Sequence, residues 1–387
     1  MNVEIIASTM LGVESKENFE NLSGKAAGVC YMPSTFNELI NEDVAKTNRR
    51  VNQTKQSGHH SVFDHNSITL YLQDVPKIVA MLLNNEKQYT TSEKSGRYTR
   101  LESSEKETML YNKWFEIFKS KITKKYKEKY PDYFTDGKIE KLAQEEARYM
   151  TSVFTPTHLL YTTTYRQFNY LISFMEKQLS KSNVNDFEKK LNGYLSELLS
   201  KFKELPYYDS GLTQNEKDRS FSLFANGKKV EEYFGDVYAT SYKASFAELA
   251  QAQRHRTISY SFNILENEYY VPPIIADSVD FTQLWIDDLK SVSDSYPNAT
   301  LLEVNEMGTL DAFILKMKER KCTHAQLEIN RITVETQKKY EYALRMKIHP
   351  RAEEMMNYSK GSRCTFPDFK CTAPCRFELG INETRDV

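Results

Sequence analysis

"ASFAELAQAQRHR", residues 244–256, sets apolar side chains at helical spacing and runs straight into Arg254-His255-Arg256. The hydroxyl-rich and aromatic segment "TISYSFN" follows at 257–263. An earlier stretch, "VPKIVAMLLNNEKQY" (75–89), has the same layout, a helical pattern leading into the polar "SEKSGRYTR" at 92–100. The two read as distant versions of one unit. A second pair agrees: "THLLYTTTYRQFNYLISFMEKQ" (157–178) and "GTLDAFILKMKERKCTHAQLEI" (308–329) both read as long helical patterns with one polar face. Together they predict an internal duplication. Its modules would be residues 1–205, with a helical insertion at about 104–146, and residues 206–387, with a cysteine-containing tail and a loop-like boundary in "PYYDSGLTQNEKDRS" (206–220).

The chain is long enough, at 387 residues with 40% hydrophobic, to bury a substantial core. Its 52 Lys+Arg against 53 Asp+Glu leave a net charge of −1, so no whole-chain field favours nucleic acid or an anionic membrane. Any anion site must be local. The charged stretch at 104–146, with "KSKITKKYKEKYPDYF", alternates lysine and tyrosine in a way that could suit nucleic acid. Interleaved Glu and Asp make a solvated helix face the better reading. The opening residues show no basic leader followed by an apolar run, and no stretch reaches the length of a membrane span, so a cytoplasmic location is expected.

Five cysteines, an odd number, argue against a disulfide framework. Three of them cluster in "CTFPDFKCTAPC" (364–375), where a metal with His349 as fourth ligand is one reading and a compact tail of reduced thiols the other. The expectation is no metal. His59, His60 and His65 also cluster, beside an acidic residue, and could be read as metal ligands.

Two arginines flanking a histidine at a helix end make an anion clamp, because guanidinium presents paired donors in a plane and stays charged. In "SEKSGRYTR", Ser95, the Gly96 backbone and Arg97 form a second clamp, with glycine allowing close backbone approach.

These residues resemble the flavin-dependent thymidylate synthases, whose signature is R-H-R, a serine-containing spacer, then E-x-S-x-R-Y. A G-H-x-S-x-x-E-H segment precedes it, and A-R, N-x-R and R-x-x-x-H-A-Q-x-E-I follow. The first half carries "GHHSVFDH" (58–65), "SEKSGRY" (92–98), Arg148 and Arg166, but has Asn85-Glu86-Lys87 in place of R-H-R. The second half carries Gln251, Arg254-His255-Arg256, Ser259 and "RKCTHAQLEI", but has Phe262, Ile264 and Glu266 in place of E-x-S-x-R, and Asp311 opposite Arg166. Each half lacks what the other keeps.

The resemblance implies an α/β (α+β) fold of two duplicated modules, each a sheet flanked by helices, and sites built from complementary halves. It implies that dUMP is bound by Glu93, Ser95, Gly96, Arg97, Arg148, Gln251, Arg254 and Arg320, with Ser95, Arg97 and Arg148 on the phosphate. FAD would be held by His59, Arg166, Arg254, His255, Arg256 and His324; Thr164 stands where the family has the asparagine of N-x-R. Arg320, Ser95 and Arg254 form the implied catalytic set. The implied reaction is reductive methylation of dUMP to dTMP, with methylenetetrahydrofolate as carbon donor and NADPH as reductant, in a homodimer that binds neither nucleic acid nor membrane. Alternatives are a related C5 modification such as hydroxymethylation, or a non-catalytic nucleotide-binding homologue.

Overall fold

The computed structural model describes residues 1–9, 16–58, 60–94, 96, 103–213, 219–225, 232–371, 375 and 385–387. It is a mixed helix and sheet protein with two compact units, Met1–Lys94 with Pro156–Ser222, and Ser95–Thr155 with Leu223–Val387.

In chain order the first unit begins with β1 (Asn2–Ser8), α1 (Lys16–Tyr31), α2 (Phe36–Ile40) and α3 (Val44–Gln56), then β2 (Ser67–Pro76), α4 (Lys77–Leu83) and β3 (Tyr89–Glu93). Helices α5 (Glu105–Ile122) and α6 (Asp136–Ala147), which lie within the 104–146 stretch, belong to the second unit. The first unit resumes with β4 (Pro156–Thr164), α7 (Tyr165–Leu179), α8 (Asp186–Glu204) and α9 (Ser210–Thr213). The second continues with β5 (Glu232–Tyr233), β6 (Val237–Ser245), α10 (Phe246–Ala252), β7 (Ser259–Tyr269), α11 (Pro273–Ala276), α12 (Val279–Lys290), β8 (Thr300–Thr309), α13 (Leu310–Arg320), α14 (Leu327–Met346) and α15 (Ala352–Asn357).

Both sheets are antiparallel and four-stranded, in the orders β1-β2-β4-β3 and β5-β6-β8-β7. In each, a strand runs into a seven-residue helix, α4 or α10, and the central strand β4 or β8 runs into a long helix capped by its last threonine. Thr164 accepts from the Gln167 amide and Thr309 from the Ala312 amide, each filling an orphan donor of the first turn. Register matches too. Glu93 pairs with Leu159 and Phe262 with Val304, each the same distance before its capping threonine.

The sequence expectation of one helix over 157–178 fails at its start. In "THLLYTTT" buried Thr157, Leu159, Tyr161 and Thr163 alternate with outward residues, the period of a strand, and four threonines favour extended backbone. The pattern at 308–329 is likewise broken, because α13 ends at Arg320 and α14 starts at Leu327. Arg385 donates to the carbonyls of Cys322 (3.3 Å), Thr323 (3.4 Å) and Ala325 (2.7 Å), satisfying the backbone that an unbroken helix would have satisfied itself.

The lysines of α5 line its outer face while Leu110, Trp114, Phe118 and Ile122 face inward. They join a cluster with Tyr149 and Trp285, whose indole meets that of Trp114 edge to face at 4.7 Å. Among the described residues no helix is long and apolar enough to cross a membrane.

Candidate functional site

Helix α10 is buried almost throughout, so what it presents is its end. Ser245 opens it by accepting the Glu248 amide at 3.1 Å, and the Ser245 amide and hydroxyl both donate to the buried Glu328 carboxylate, at 2.7 and 2.6 Å. After the last turn the chain tightens: Arg254 N–H reaches the Gln251 carbonyl, His255 N–H that of Ala252, and Ile258 N–H that of His255. That turn delivers Arg254-His255-Arg256, with His255 turned inward and Arg256 exposed.

His255 Nε2 accepts the Nε–H of Arg320 at 2.8 Å. Burial, reinforced by the Arg320 and Lys316 charges, drives its pKa down to about 2, so the ring is neutral and its Nε2 lone pair serves to orient the guanidinium. Arg320 also donates to the Gln251 carbonyl at 3.4 Å, and its own carbonyl accepts from Asn330 at 2.8 Å. The arginine is thus held in one orientation by the helix end beside it.

Gln251 donates to Gln326, which in turn accepts from Arg148 Nη2 at 2.7 Å and donates to the Tyr149 hydroxyl. Tyr149 donates to Glu328 at 2.6 Å, closing the chain back to Ser245. The second unit therefore brings together four of the residues singled out in the sequence, Arg148, Gln251, His255 and Arg320. Among the atoms of this network buried without a partner are the amide oxygen of Gln251 and the Nε–H of Arg148. An unmet buried polar atom costs about 1–3 kcal/mol, so this acceptor and this donor, whose side chains share Gln326, suit a ligand offering both a donor and an acceptor.

Gln326, Tyr149, Glu328 and Ser245 were not singled out from sequence. Gln326 and Glu328 had a signal, since they are the Q and E of the H-A-Q-x-E-I run. Glu248 had none. Its carboxylate oxygens are buried and unpartnered, and burial raises its pKa to about 8.

In the first unit Arg166 pairs with Asp64 at 2.6 Å and lies over the Tyr170 ring at 5.6 Å. Asp64 also accepts from the Thr164 hydroxyl at 2.7 Å, so the threonine in the asparagine position tethers the acid that holds the arginine. His60 is buried against the Lys55 carbonyl at 3.1 Å. The Glu93 side chain is buried and ion-paired to Lys77, with Asn84 at 3.5 Å. His59, Ser95 and Arg97 lie outside the described residues; Gly96 is in a turn.

His324, expected on a helix, sits instead in the turn between α13 and α14, with Nδ1 3.5 Å from the Cys322 thiol. Burial pushes that thiol up, but the hydrogen bonds from His324, with Arg363 nearby, bring it down to about 7.

At the equivalent place in the first unit, Glu86 is buried and accepts from Arg219 Nη2 at 2.8 Å and from the Ser222 amide, while Asn85 donates to the Ser222 hydroxyl at 2.9 Å. The Arg219 guanidinium covers the Phe174 ring at 4.1 Å.

Residues 13–190 match the model of the thymidylate synthase complementing protein family, Thy1. Among solved structures, the chain resembles a UMP/dUMP methylase PolB from Streptomyces cacaoi bound with 5-Br dUMP, at 19% identity and a TM-score of 0.33, over 53% of this chain and 90% of that one. It also resembles thymidylate synthase X from Helicobacter pylori with FAD and dUMP, at 15% identity and a TM-score of 0.32, over 55% of this chain and all of the other. No curated protein matches.

Proposed function

We propose that the chain is a flavin-dependent thymidylate synthase arising from an internal duplication, converting dUMP to dTMP with methylenetetrahydrofolate as carbon donor and NADPH as reductant. One observation carries the reading. The half that matches the family, 13–190, ends its equivalent helix in Asn85-Glu86-Lys87, while the family's R-H-R stands at the same place in the other half, beside Gln251, Arg148 and Arg320. The shared strand order and matched register of the two sheets support the duplication.

In this reading FAD, when bound, supplies the hydride; the chain's residues bind and orient. Arg254, His255 and Arg256 hold the flavin, with His59, Arg166 and His324 as further contacts, and Arg254 also contacts dUMP. Arg148, Ser95 and Arg97 take the dUMP phosphate, Gly96 gives backbone access, Gln251 meets the uracil edge and Glu93 completes the nucleotide set. Arg320, aligned by neutral His255, stabilises negative charge developing on a uracil carbonyl, a fixed cation that needs no reorientation during reaction. The reading expects a homodimer, in the cytoplasm.

The test is release of the C5 hydrogen of dUMP by purified protein given methylenetetrahydrofolate, FAD and NADPH, with the product identified by mass. Hydrogen release with dTMP formed supports the proposal. Release with a hydroxymethylated product replaces the reaction within the same site, and no release with FAD and dUMP bound leaves a non-catalytic binder.

A further inference from the structure

We propose that Glu248, as an uncharged carboxylic acid, reads the imide edge of the uracil ring: its O–H donates to a ring carbonyl, and its carbonyl oxygen, with the amide oxygen of Gln251, accepts the ring N3–H. The inference rests on the dUMP reading above and adds a residue to it.

"SFAE", residues 245–248, is the pattern of a capping box, in which the acid three residues after the cap folds back onto the cap's own amide. Three helices of this chain close that box, with Glu38 on Thr35, Glu107 on Ser104 and Glu188 on Asn185. Helix α10 does not. Glu328 takes the Ser245 amide at 2.7 Å, so the Glu248 side chain is released from its local partner. It is buried all the same, and neither of its oxygens has a hydrogen bond.

The charged and titratable groups around it are engaged with one another. Lys316 of α13 donates to Glu306 of β8 at 2.6 Å, and the Tyr242 hydroxyl of β6 donates to the same carboxylate at 2.6 Å. Arg320 of α13 donates to His255 at 2.8 Å, and Glu328 of α14 accepts from the Ser245 and Tyr149 hydroxyls at 2.6 Å each. Burial, reinforced by the Glu328 and Glu306 charges, outweighs Lys316 and Arg320, so the acid keeps its proton and offers one donor and one acceptor. An acid that keeps its proton does not serve as a metal ligand.

Gln251 stands three residues further on, the spacing that puts two side chains on one helix face. Its Nε2 donates to the Ala247 carbonyl at 3.3 Å and to Gln326, and its amide oxygen is buried without a partner. One face of α10 therefore carries a donor and two acceptors that the chain leaves unmet. A pyrimidine imide presents the complement, a carbonyl next to an N–H, and an uncharged acid meets it through two parallel hydrogen bonds. The first unit shows the contrast. Glu248 and Gln251 are the third and sixth residues of α10, and the third and sixth of α4 are Val79 and Leu82, both buried and apolar.

The experiment is calorimetric titration of FAD-saturated full-length protein with dUMP and with its N3-methyl derivative, which lacks the ring N–H. The unsubstituted chain should bind dUMP at least about tenfold more tightly than the derivative, and Glu248→Met should lose about tenfold for dUMP and little for the derivative. Glu248→Gln, whose amide again pairs a donor with an acceptor, should restore dUMP binding. Burial raises the acid to about 8, so between pH 7 and 8.5 dUMP affinity should fall about fourfold in the unsubstituted chain and stay level in Glu248→Gln. A purely structural role would weaken both nucleotides alike. Equal losses for the two nucleotides in Glu248→Met, or no loss for either, overturn the inference and leave the dUMP reading standing. Should that variant fail to fold, a pH profile shared by the unsubstituted chain and Glu248→Gln overturns it instead. No binding of dUMP by the unsubstituted chain overturns the inference together with that reading.

Discussion

The ends of α4 and α10 occupy the same place in two sheets of the same strand order, yet the first is covered by the chain itself while the second carries two arginines and a histidine. At α4 the buried acid Glu86 draws in Arg219, and residues 219–222 fill the place. At α10 an acid is replaced by His255, which is kept neutral so that Arg320 can lean on it. The contrast extends inward. The third residue of α4 is Val79 and that of α10 is Glu248; Tyr161 of β4 corresponds to Glu306 of β8, fully buried with Lys316 at 2.6 Å. The end of α4 is filled by the chain itself, whereas around α10 buried polar groups remain, the Glu248 carboxylate oxygens among them without a partner.

The largest expected effect separates the two ends directly. Arg254→Ala removes a charged partner from a bound anion and should weaken dUMP binding by about 30-fold or more by calorimetry, since such losses typically amount to about 2–5 kcal/mol. Asn85→Ala should change it by less than about twofold. Arg97→Ala against Glu266→Ala should give the same contrast, as the two positions share a place in the proposed duplication. Equal losses at Arg254 and Asn85 would mean that both ends bind nucleotide.

A second variant tests the claim that the chain closes its own first site. Arg219→Ala strips the partner from buried Glu86 and should lower hydrogen-exchange protection of α4 by roughly 1–3 kcal/mol, while FAD content stays unchanged. Glu86→Gln in that background should restore part of the loss. Unchanged protection of α4 would remove Arg219 from the account.

A smaller effect concerns pH. Glu248 has its pKa raised by burial to about 8, above its unfolded value, so its contribution to stability is fully present in acid and is lost as pH rises through 8. Glu248→Gln should therefore be near neutral at about pH 5 and clearly stabilising at about pH 9, where the buried carboxyl would otherwise have to ionise without a partner. Trp114 and Trp285 both lie in the second unit, so tryptophan fluorescence in urea reads that unit alone. A variant equally destabilising at both pH values would show that Glu248 is ionised and paired.

The pairing of helix-end motifs was legible in the sequence because it depends on short-range spacing: α4 and α10 fall where the apolar periodicity put them, and the R-H-R follows directly. What was not legible depends on distant partners. Thr157–Thr164 has apolar content that fits either period, and only pairing with β2 and β3 decides for a strand. The break at 321–326 needs Arg385, more than fifty residues away, to satisfy its carbonyls. Gln326 and Glu328 were written in a motif but gained meaning only once Tyr149 and Arg148 reached them.

The central claim is one flavin site per chain, at the end of α10. Its most direct measurement is the ratio of FAD to polypeptide in protein saturated with the cofactor, read by flavin absorbance against amino-acid analysis. The account predicts about one FAD per chain, falling toward zero in Arg254→Ala and holding at about one in Asn85→Ala. A ratio near two, with each variant removing half, would contradict it.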